Sequence, residues 1–323
     1  MLKETTLRVY LDKAGKDVRN SHMNVYVPTA ESTRLADNPR IMDYIALLKP
    51  RVMSLVVFTG LCGMLVAPGS IHPFLAVVAI IALAFGAGAA GAINMWFDRD
   101  IDAIMTRTAT RPIPAGKVKA EEALAFAIII SLFSVMIMGL AVNWVAAGLL
   151  AFANFFYSVI YTMWLKRATP QNIVIGGASG AFPPMIGWAA VTGDITLMPV
   201  LLFLIIFFWT PPHFWALALM ASKDYEKAGV PMLPVTHGHD HTKAQMLIYS
   251  LILMSLVLFP FFTGMAGMIY GTTAILCSAV FLLQSITVMA RGEIKDCKQM
   301  FAFSIFYLFA IFASLVIDHF IAL

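Results

Sequence analysis

Nine long runs of apolar residues alternate with short polar segments along almost the whole chain. Each run is close to the roughly 20 residues that a helix needs to cross the hydrocarbon core of a bilayer. The pattern therefore predicts an all-α polytopic membrane protein with about nine transmembrane helices. The runs lie near residues 52–67, 73–97, 121–142, 144–165, 172–192, 196–220, 245–264, 268–290 and 300–320.

The Lys and Arg side chains are confined to alternate polar segments, which supports this count. All 22 of them lie before the first run or after the second, fourth, sixth and eighth runs, and the other segments between runs contain none. Cytoplasmic loops of membrane proteins carry an excess of Lys and Arg. We therefore expect the amino terminus in the cytoplasm and the carboxyl terminus in the periplasm.

Composition narrows the class of protein further. Hydrophobic residues make up 60% of the 323 residues and charged residues only 12%, values outside the range of a soluble domain. The net charge of +4 is spread over short loops that face anionic lipid, so it predicts no nucleic-acid partner. Residues 1–41 are mixed in charge and predict a flexible cytoplasmic extension, followed by one transmembrane domain at 42–323. The acidic residues of the extension argue against a mitochondrial transit peptide and favour a bacterial inner membrane.

One apolar run ends in a cluster of acidic side chains. Asn94, Asp98 and Asp102 are spaced four residues apart, so a helix places them along one face. Carboxylates this close repel one another, and a hard divalent cation shared between them relieves the repulsion. Arg107 and Arg111 follow, and guanidinium groups beside a bound cation suit a diphosphate. The alternative is an acidic helix end followed by an ordinary basic loop.

Several longer blocks of sequence resemble one enzyme family. The spacing of Asn94, Asp98 and Asp102 matches the pattern of the intramembrane prenyltransferases of the UbiA type. Over nearly everything after about Asp43, the chain is similar to one group within that superfamily, the protohaem IX farnesyltransferases or haem O synthases. The blocks that carry this similarity are Leu-Lys-Pro-Arg-Val-Met at 48–53, Arg-Pro-Ile-Pro at 111–114, Gly-Gly at 176–177, Pro-Pro-Met-Ile-Gly-Trp at 183–188, Trp-Thr-Pro-Pro-His-Phe-Trp at 209–215, Asp-Tyr at 224–225 and Pro-Met-Leu-Pro at 231–234.

The resemblance implies a bundle of helices around a central cavity, with Mg2+ as the cofactor. It also implies an enzyme that transfers a farnesyl group from farnesyl diphosphate to a vinyl group of protohaem IX (haem B). The product would be haem O, an intermediate in the biosynthesis of haem–copper oxidase cofactors. A haem A synthase or a terminal oxidase assembly is then a candidate downstream partner. Fixed cations would lower the barrier, because they stabilise the charge that develops on the leaving diphosphate.

The resemblance also assigns roles to particular residues. Asn94, Asp98 and Asp102 would hold Mg2+ against the diphosphate. Lys49 and Arg51 would pair with haem propionates, and the alternative is that both reach lipid phosphates at the membrane surface. The basic residues implied as contacts to the diphosphate oxygens are Arg107, Arg111, Lys166 and Arg167.

A second aspartate-rich motif of the superfamily survives only in part, at residues 221–226. Asp224 would bind a second Mg2+ or, alternatively, order the loop. Lys223 would contact the diphosphate directly, and Tyr225 would donate a hydrogen bond. His213 lies inside the sixth apolar run, where a polar ring needs a partner. It either ligates the haem iron or orients the macrocycle, and the alternative is a structural role.

Other functions fit parts of the pattern. A membrane prenyltransferase acting on an aromatic or chlorin acceptor would have the same metal site, because haem specificity depends on the blocks around Lys49, Pro183 and His213. A secondary transporter would also contain many helices with polar groups and proline breaks, although its carboxylates are expected near the bilayer midplane. A haem-binding scaffold without turnover is a third alternative.

Overall fold

The computed structural model describes residues 39–322, and regular structure within that range is entirely helical. The predicted extension at residues 1–41 therefore lies almost wholly outside the described residues. In chain order the helices are α1 Ile41–Leu47, α2 Pro50–Leu65, α3 Pro73–Phe97, α4 Arg99–Ile104, α5 Ala120–Val142, α6 Trp144–Ala168, α7 Asn172–Thr192, α8 Leu197–Met220, α9 Ser222–Lys227, α10 Leu233–Thr236, α11 Gly238–Phe262, α12 Met268–Ala290 and α13 Ile294–Ala322.

Eight helices in this part of the chain are long and apolar enough to cross a membrane, namely α3, α5 to α8 and α11 to α13. The pair α1 and α2 makes a ninth span if it is counted as one broken helix with a bend of 55°. The molecule is therefore a multi-pass membrane protein. The prediction of an all-α architecture with about nine spans is confirmed for residues 39–322.

The bend between α1 and α2 has a local cause in the sequence. Pro50 has no backbone N–H and disfavours the helical conformation in the residue before it. Lys49 adopts a left-handed conformation with φ 53° and ψ 54°, and every other positive φ in the described range belongs to glycine. The bend turns the Lys49 side chain toward α3, where its Nζ donates to Asn94 Oδ1 at 2.8 Å.

Helix α2 lies against the second half of α7 with little side-chain volume between the two backbones. A methyl group added to Gly63 would meet the carbonyl oxygen of Pro184, and one added to Gly187 would meet that of Gly60. Small residues permit such close approach between membrane helices. Helix α7 is the most enclosed of the eight spans, with 72% of its most apolar stretch buried. It lies at the centre of the bundle, in contact with α2, α3, α6 and α8.

The segments that carry Lys and Arg meet at one end of the bundle, here called the basic face and made of residues 49–51, 98–119, 166–167, 221–243 and 291–298. This grouping agrees with the alternation of charged segments along the sequence. Hydrogen bonds join Arg167 with Asp100 and Thr106 with Asp224, Lys49 donates to Asn94 in the last turn of α3, and Lys243 lies beside Gly292.

Candidate active site

The predicted cluster of acidic side chains lies where α3 ends and α4 begins. Asp98 joins the two helices. Backbone bonds from Asp98 N–H to Asn94 O at 3.0 Å and from Asp102 N–H to Asp98 O at 2.8 Å carry the helical spacing through the junction. Asn94, Asp98 and Asp102 therefore share one face, as their spacing predicts. Their exposed fractions are 4%, 0% and 2%, so that face is turned into the protein.

Two basic side chains from different elements neutralise the two aspartates. Lys166 near the end of α6 forms an ion pair with Asp98. Arg111, in the loop after α4, donates to Asp102 Oδ2 at 2.6 Å. An unpaired buried carboxylate is far more costly than a paired one. The two cations therefore offset the cost of burying the two carboxylates.

Asn94 is held in one orientation by three neighbours. Its Nδ2 donates to Asp98 Oδ2 at 2.7 Å and to Thr162 Oγ1 at 3.1 Å, while its Oδ1 accepts from Lys49 Nζ at 2.8 Å. Because an amide nitrogen only donates and an amide oxygen only accepts, these partners fix the amide. Lys49, which the sequence assigns to a propionate or to lipid, thus contacts the acidic cluster.

The winding of α6 explains how its side chains reach the cluster. Residues Phe156–Leu165 are π-helical, with backbone bonds to the fifth residue along the chain rather than the fourth. The step from Tyr157 to Lys166 would take about 2.5 turns of an α-helix, which would put the two side chains on opposite sides. The same step takes roughly two turns of a π-helix. Tyr157, Tyr161, Thr162 and Lys166 can therefore share the face that looks toward α3.

Tyr157 and Tyr161 form a stacked aromatic pair beside the cluster. Their ring centroids are 5.6 Å apart with an interplanar angle of 8°, and Lys49 Nζ lies 6.0 Å from the centre of the Tyr157 ring. Sequence reasoning missed this pair and also Thr162. The available signal was spacing, because the two tyrosines, like Thr162 and Lys166, are four residues apart in an otherwise apolar run.

Arg167 and Asp100 form a second ion pair at the rim of the site. The two terminal nitrogens of Arg167 donate to the two oxygens of Asp100 at 2.8 and 2.7 Å, and one of them lies 3.7 Å from Asp98 Oδ1. Hydrogen bonds from Arg167 hold the pKa of Asp100 below its ordinary value of 3.8. The guanidinium also lies over the Phe97 ring, 4.9 Å from its centre. Arg167 is thus kept close to the acidic cluster by a two-pronged ion pair.

Two polar segments meet at the basic face, a first loop of residues 94–111 and a second loop of residues 221–232 around α9. The second loop makes fewer polar contacts with the site. Asp224 is half-buried and accepts from Thr106 Oγ1 at 3.4 Å. Tyr225 is buried in an apolar cluster between the two loops, and its hydroxyl has no hydrogen-bond partner among residues 39–322. Lys223 is exposed. Of the three residues predicted here, only Asp224 makes a polar contact with the first loop.

Two predicted basic residues lie at the basic face but outside the buried network. Arg51 on α2 and Arg107 after α4 are both exposed. Neither forms an ion pair with any residue in the described range. The network around the carboxylates is therefore completed by Lys49, Arg111 and Lys166.

The oxygen atoms of the first loop fit a hard cation. Asp98 Oδ1 is fully buried and has no hydrogen-bond partner in the described part of the chain. Asn94, Asp98 and Asp102 offer only oxygen ligands of the kind that Mg2+ binds. Within residues 39–322, however, no three His, Cys, Asp or Glu side chains lie close enough together to hold a metal. Asp224 is therefore not gathered into one set with the two buried aspartates.

His213 lies in α8, about two turns before the helix ends at the basic face. It is 8% exposed. Its ring is stacked between Trp209 and Phe301, with centroids 4.3 and 4.6 Å away. The partner that an intramembrane histidine needs is Ser304 on α13, whose Oγ lies 2.6 Å from Nδ1.

Comparison with known proteins decides the family. The model of the UbiA prenyltransferase family matches residues 56–311. A protein from Agrobacterium fabrum named protoheme IX farnesyltransferase is 58% identical over 295 residues, which cover 90% of this chain and 93% of that one. This chain belongs to the UbiA prenyltransferase family. The resemblance inferred from the sequence blocks is confirmed.

Solved structures of UbiA-type proteins share the fold. A structure of digeranylgeranylglyceryl phosphate synthase has a TM-score of 0.72 at 18% identity, over 86% of this chain and 98% of that chain. A UbiA homologue from Archaeoglobus fulgidus bound to GPP and Mg2+ has a TM-score of 0.62 at 19% identity, over 84% and 99%. These likenesses confirm the predicted UbiA-type helical bundle. Within residues 39–322, four of the six ion pairs lie around the junction of α3, α4 and α6.

Proposed function

We propose that this UbiA-type prenyltransferase moves a farnesyl group from farnesyl diphosphate to a vinyl group of protohaem IX and so makes haem O. The observation that carries the proposal is the 58% identity, over 90% of the chain, to a relative named for farnesyl transfer to protohaem IX. The buried network of Asn94, Asp98 and Asp102 with its cations supports it, because departure of a diphosphate requires concentrated positive charge.

The proposed reaction breaks the bond between the allylic carbon and the diphosphate oxygen, and the electron pair leaves with the diphosphate. The terminal vinyl carbon of the haem forms the new carbon–carbon bond. Water then adds to the neighbouring vinyl carbon and gives up one proton, which leaves a hydroxyethylfarnesyl group. Because negative charge grows on the diphosphate while the first bond breaks, fixed cations beside it lower the barrier.

Lys166 and Arg111 are the basic residues placed to meet that charge. Each is fixed on one carboxylate of the cluster, so a diphosphate at the basic face meets two positioned cations. Asn94, Asp98 and Asp102 would hold Mg2+, which when bound supplies further positive charge to the diphosphate oxygens. The binding of GPP and Mg2+ by the Archaeoglobus fulgidus homologue supports this assignment.

The outer part of the diphosphate is assigned to residues at the rim. Arg107, Arg167 and Lys223 lie exposed at the basic face, where their side chains can turn toward an anion. Asp224 either binds a second Mg2+ or orders the second loop through its contact with Thr106. Tyr225 supports the same loop by packing, and its proposed hydrogen bond to the substrate requires its hydroxyl to reach the site edge.

Stabilisation of the allylic cation is assigned to the stacked tyrosines Tyr157 and Tyr161. The π faces of tyrosine rings attract a cation, and the pair of Tyr157 and Tyr161 lies on the same face of α6 as Lys166. Apolar helices around this point keep water from the cation until the new bond has formed. The tyrosines and the apolar helices around them therefore separate carbon–carbon bond formation, from which water must be excluded, from the later addition of water.

The haem acceptor is assigned to α8 and the start of α2. His213 ligates the iron or orients the macrocycle from within α8. Arg51 is the proposed partner of a propionate, because it is exposed at the basic face. Lys49 would join it only by leaving Asn94, to which it is bonded.

The basic face is assigned to the cytoplasmic side of a bacterial inner membrane and the carboxyl terminus to the periplasm, and the excess of Lys and Arg at that face supports this assignment. Substrate would then enter from the cytoplasmic side. The product would pass to a haem A synthase or to the assembly of a terminal oxidase, since haem O is an intermediate in the biosynthesis of haem–copper oxidase cofactors.

The test is a reconstituted reaction followed by mass analysis of the pigment. Purified protein in lipid nanodiscs, with farnesyl diphosphate, Mg2+ and protohaem IX, should give a pigment heavier than haem by one farnesyl group and one hydroxyl. Product on an aromatic acid or a chlorin, with none on haem, would select the other acceptor class. Stoichiometric haem binding without product under any of these conditions would select the scaffold.

A further inference from the structure

Helices α8 and α13 are joined around His213. The ring stacks on Trp209 with an interplanar angle of 16° and on Phe301 with an angle of 19°. Trp209 Nε1 also donates to the backbone oxygen of Ser304 at 2.8 Å. Because both faces of the imidazole are covered, the ring is held in one plane and only its nitrogen-bearing edge can bind other groups.

Ser304 determines which nitrogen of His213 carries the proton. Its hydroxyl donates to the backbone oxygen of Phe301 at 2.6 Å, and a hydroxyl has one hydrogen to donate. The same Oγ lies 2.6 Å from His213 Nδ1. We infer that this hydrogen points at Phe301, which makes Nδ1 the donor in the contact with Ser304 Oγ. A neutral imidazole with its hydrogen on Nδ1 has an uncommitted lone pair on Nε2.

Nε2 is the part of His213 that can bind a ligand. It makes no hydrogen bond within residues 39–322, and the atom is not fully buried. The exposed 8% of the residue therefore includes this atom. Stacking on Trp209 and Phe301 sets the direction of the Nε2 lone pair. The lone pair is therefore oriented to bind a metal ion or a donor group.

We propose that Ser304 is a positioning residue that holds His213 in the Nδ1–H form, so that Nε2 ligates the iron of the haem acceptor. Imidazole is a common axial ligand of haem iron. A hydrogen bond at the opposite ring nitrogen fixes the tautomer and raises the basicity of the ligating one. The inference rests on the proposed function, since it takes protohaem IX as the acceptor.

The test compares iron protoporphyrin IX with metal-free protoporphyrin IX, because only the first can accept an axial ligand. The full chain in nanodiscs is titrated with each porphyrin. Ser304→Ala should weaken binding of the iron porphyrin by about 10- to 100-fold and shift its Soret band. Its affinity for the metal-free porphyrin should stay unchanged. Equal losses for both porphyrins, or no loss for the iron form, would overturn the inference.

Ser314→Ala is the matched control. Ser314 lies on the same helix, is buried, and donates its hydroxyl to the backbone oxygen three residues earlier, that of Ile311 at 3.0 Å. Ser304 makes the same kind of bond to Phe301, but only Ser304 also meets a histidine. The control should bind both porphyrins like the unchanged protein. An iron-specific loss in Ser314→Ala would contradict the role given to the His213 contact.

A second pair of variants guards against a folding defect in Ser304→Ala. His213→Ala should lose iron-porphyrin affinity to a similar extent and regain it when imidazole is added. On the His213→Ala background without imidazole, Ser304→Ala should cause no further loss, because the hydroxyl acts through the missing ring. A further loss there would identify Ser304 as a structural residue and end the proposal.

The two levels of the proposal fail in different ways. If the unchanged protein converts protohaem IX while Ser304→Ala and His213→Ala leave the Soret band unaltered, the iron-ligand role of His213 and the positioning role of Ser304 are both lost, and the proposed function stands. If the unchanged protein prenylates another acceptor and never haem, the proposed function is lost and the iron ligand with it.

Discussion

The two polar loops that meet at the basic face are built in different ways. In residues 94–111 both buried aspartates have a cationic partner, and the amide of Asn94 is fixed by three neighbours. In residues 221–232 the polar link to the first loop is one bond of 3.4 Å, from Thr106 to Asp224. The remainder of the second loop is held by apolar packing around Tyr225.

This difference in polar contacts indicates that the first loop is already organised before any substrate binds. Charges that already point in fixed directions stabilise a transition state without further reorganisation. A loop held by apolar packing can keep its position but has no fixed charge aimed at a ligand. We therefore expect the first loop to supply most of the catalytic stabilisation and the second loop to supply a smaller part.

The largest effect is expected at Asp98. Asp98→Ala removes the proposed Mg2+ ligand, whose buried Oδ1 has no hydrogen-bond partner within residues 39–322, and leaves Lys166 unpaired, so turnover should fall by about 1000-fold or more. Product formation in nanodiscs measures this. Asp100→Ala, two residues away and exposed, is the control and should keep most activity. Equal losses of turnover in both variants would show that the buried aspartate contributes no more to catalysis than the exposed one.

A pair of lysines compares the two loops, because Lys166 on α6 is bonded to Asp98 of the first loop and Lys223 lies in the second. Lys166→Ala should lower kcat by about 100-fold, because a fixed cation is lost from the diphosphate site. Lys223→Ala should lower it by less than about fivefold, because an exposed lysine contributes little. Steady-state kinetics with farnesyl diphosphate as the varied substrate separates the two. Similar losses in kcat would show that the second loop is as organised as the first during catalysis.

A smaller effect is expected at Asp224. Asp224→Ala should reduce turnover by about tenfold and raise the Mg2+ concentration that gives half-maximal activity, since it removes an oxygen from the outer edge of the site. A Mg2+ titration of activity measures both changes. A variant with an unchanged Mg2+ dependence would assign Asp224 to ordering of the loop alone.

The smallest effect is expected in the stability of the rim. Arg167 lowers the pKa of Asp100 below 3.8 in the folded protein, so their bond adds stability at neutral pH that is lost as the pH falls through that lowered pKa. Because Asp100 is exposed, the contribution should be under about 1 kcal/mol. Thermal unfolding of the unchanged protein and Asp100→Asn should differ slightly at neutral pH and coincide once the pH has fallen below the lowered pKa of Asp100. A difference that grew with acidity would reverse the sign of the linkage.

Much of this arrangement follows from local spacing. The interval of four residues from Asn94 to Asp98 to Asp102 needs only an unbroken helix, so it predicts the shared face. Tyr157 could not be placed in the same way, because a reading based on 3.6 residues per turn puts Tyr157 and Lys166 on opposite sides. The π-helical winding that unites them is a departure from the standard period.

Partners that are far apart in the chain were equally out of reach. Ser304 lies 91 residues after His213, and no periodic pattern links them. The burial of Tyr225 depends on packing between two separate loops. The left-handed conformation of Lys49, by contrast, has a local cause in Pro50, and only its contact with Asn94 required the tertiary fold.

The glycine contacts between α2 and α7 reach further than packing alone. Helix α2 is a stiff rod, with Gly60 and Gly63 near one end and Lys49 immediately before the other. A side chain introduced at Gly187 would push α2 away from α7 and displace the end of α2 that carries Lys49. The hydrogen bond from Lys49 to Asn94 lies roughly 15 Å from Gly60 along the axis of α2. It would then weaken although no residue of the carboxylate site has been changed. Inactivating substitutions should accordingly be found at the glycines between α2 and α7 as well as at the charged residues of the basic face.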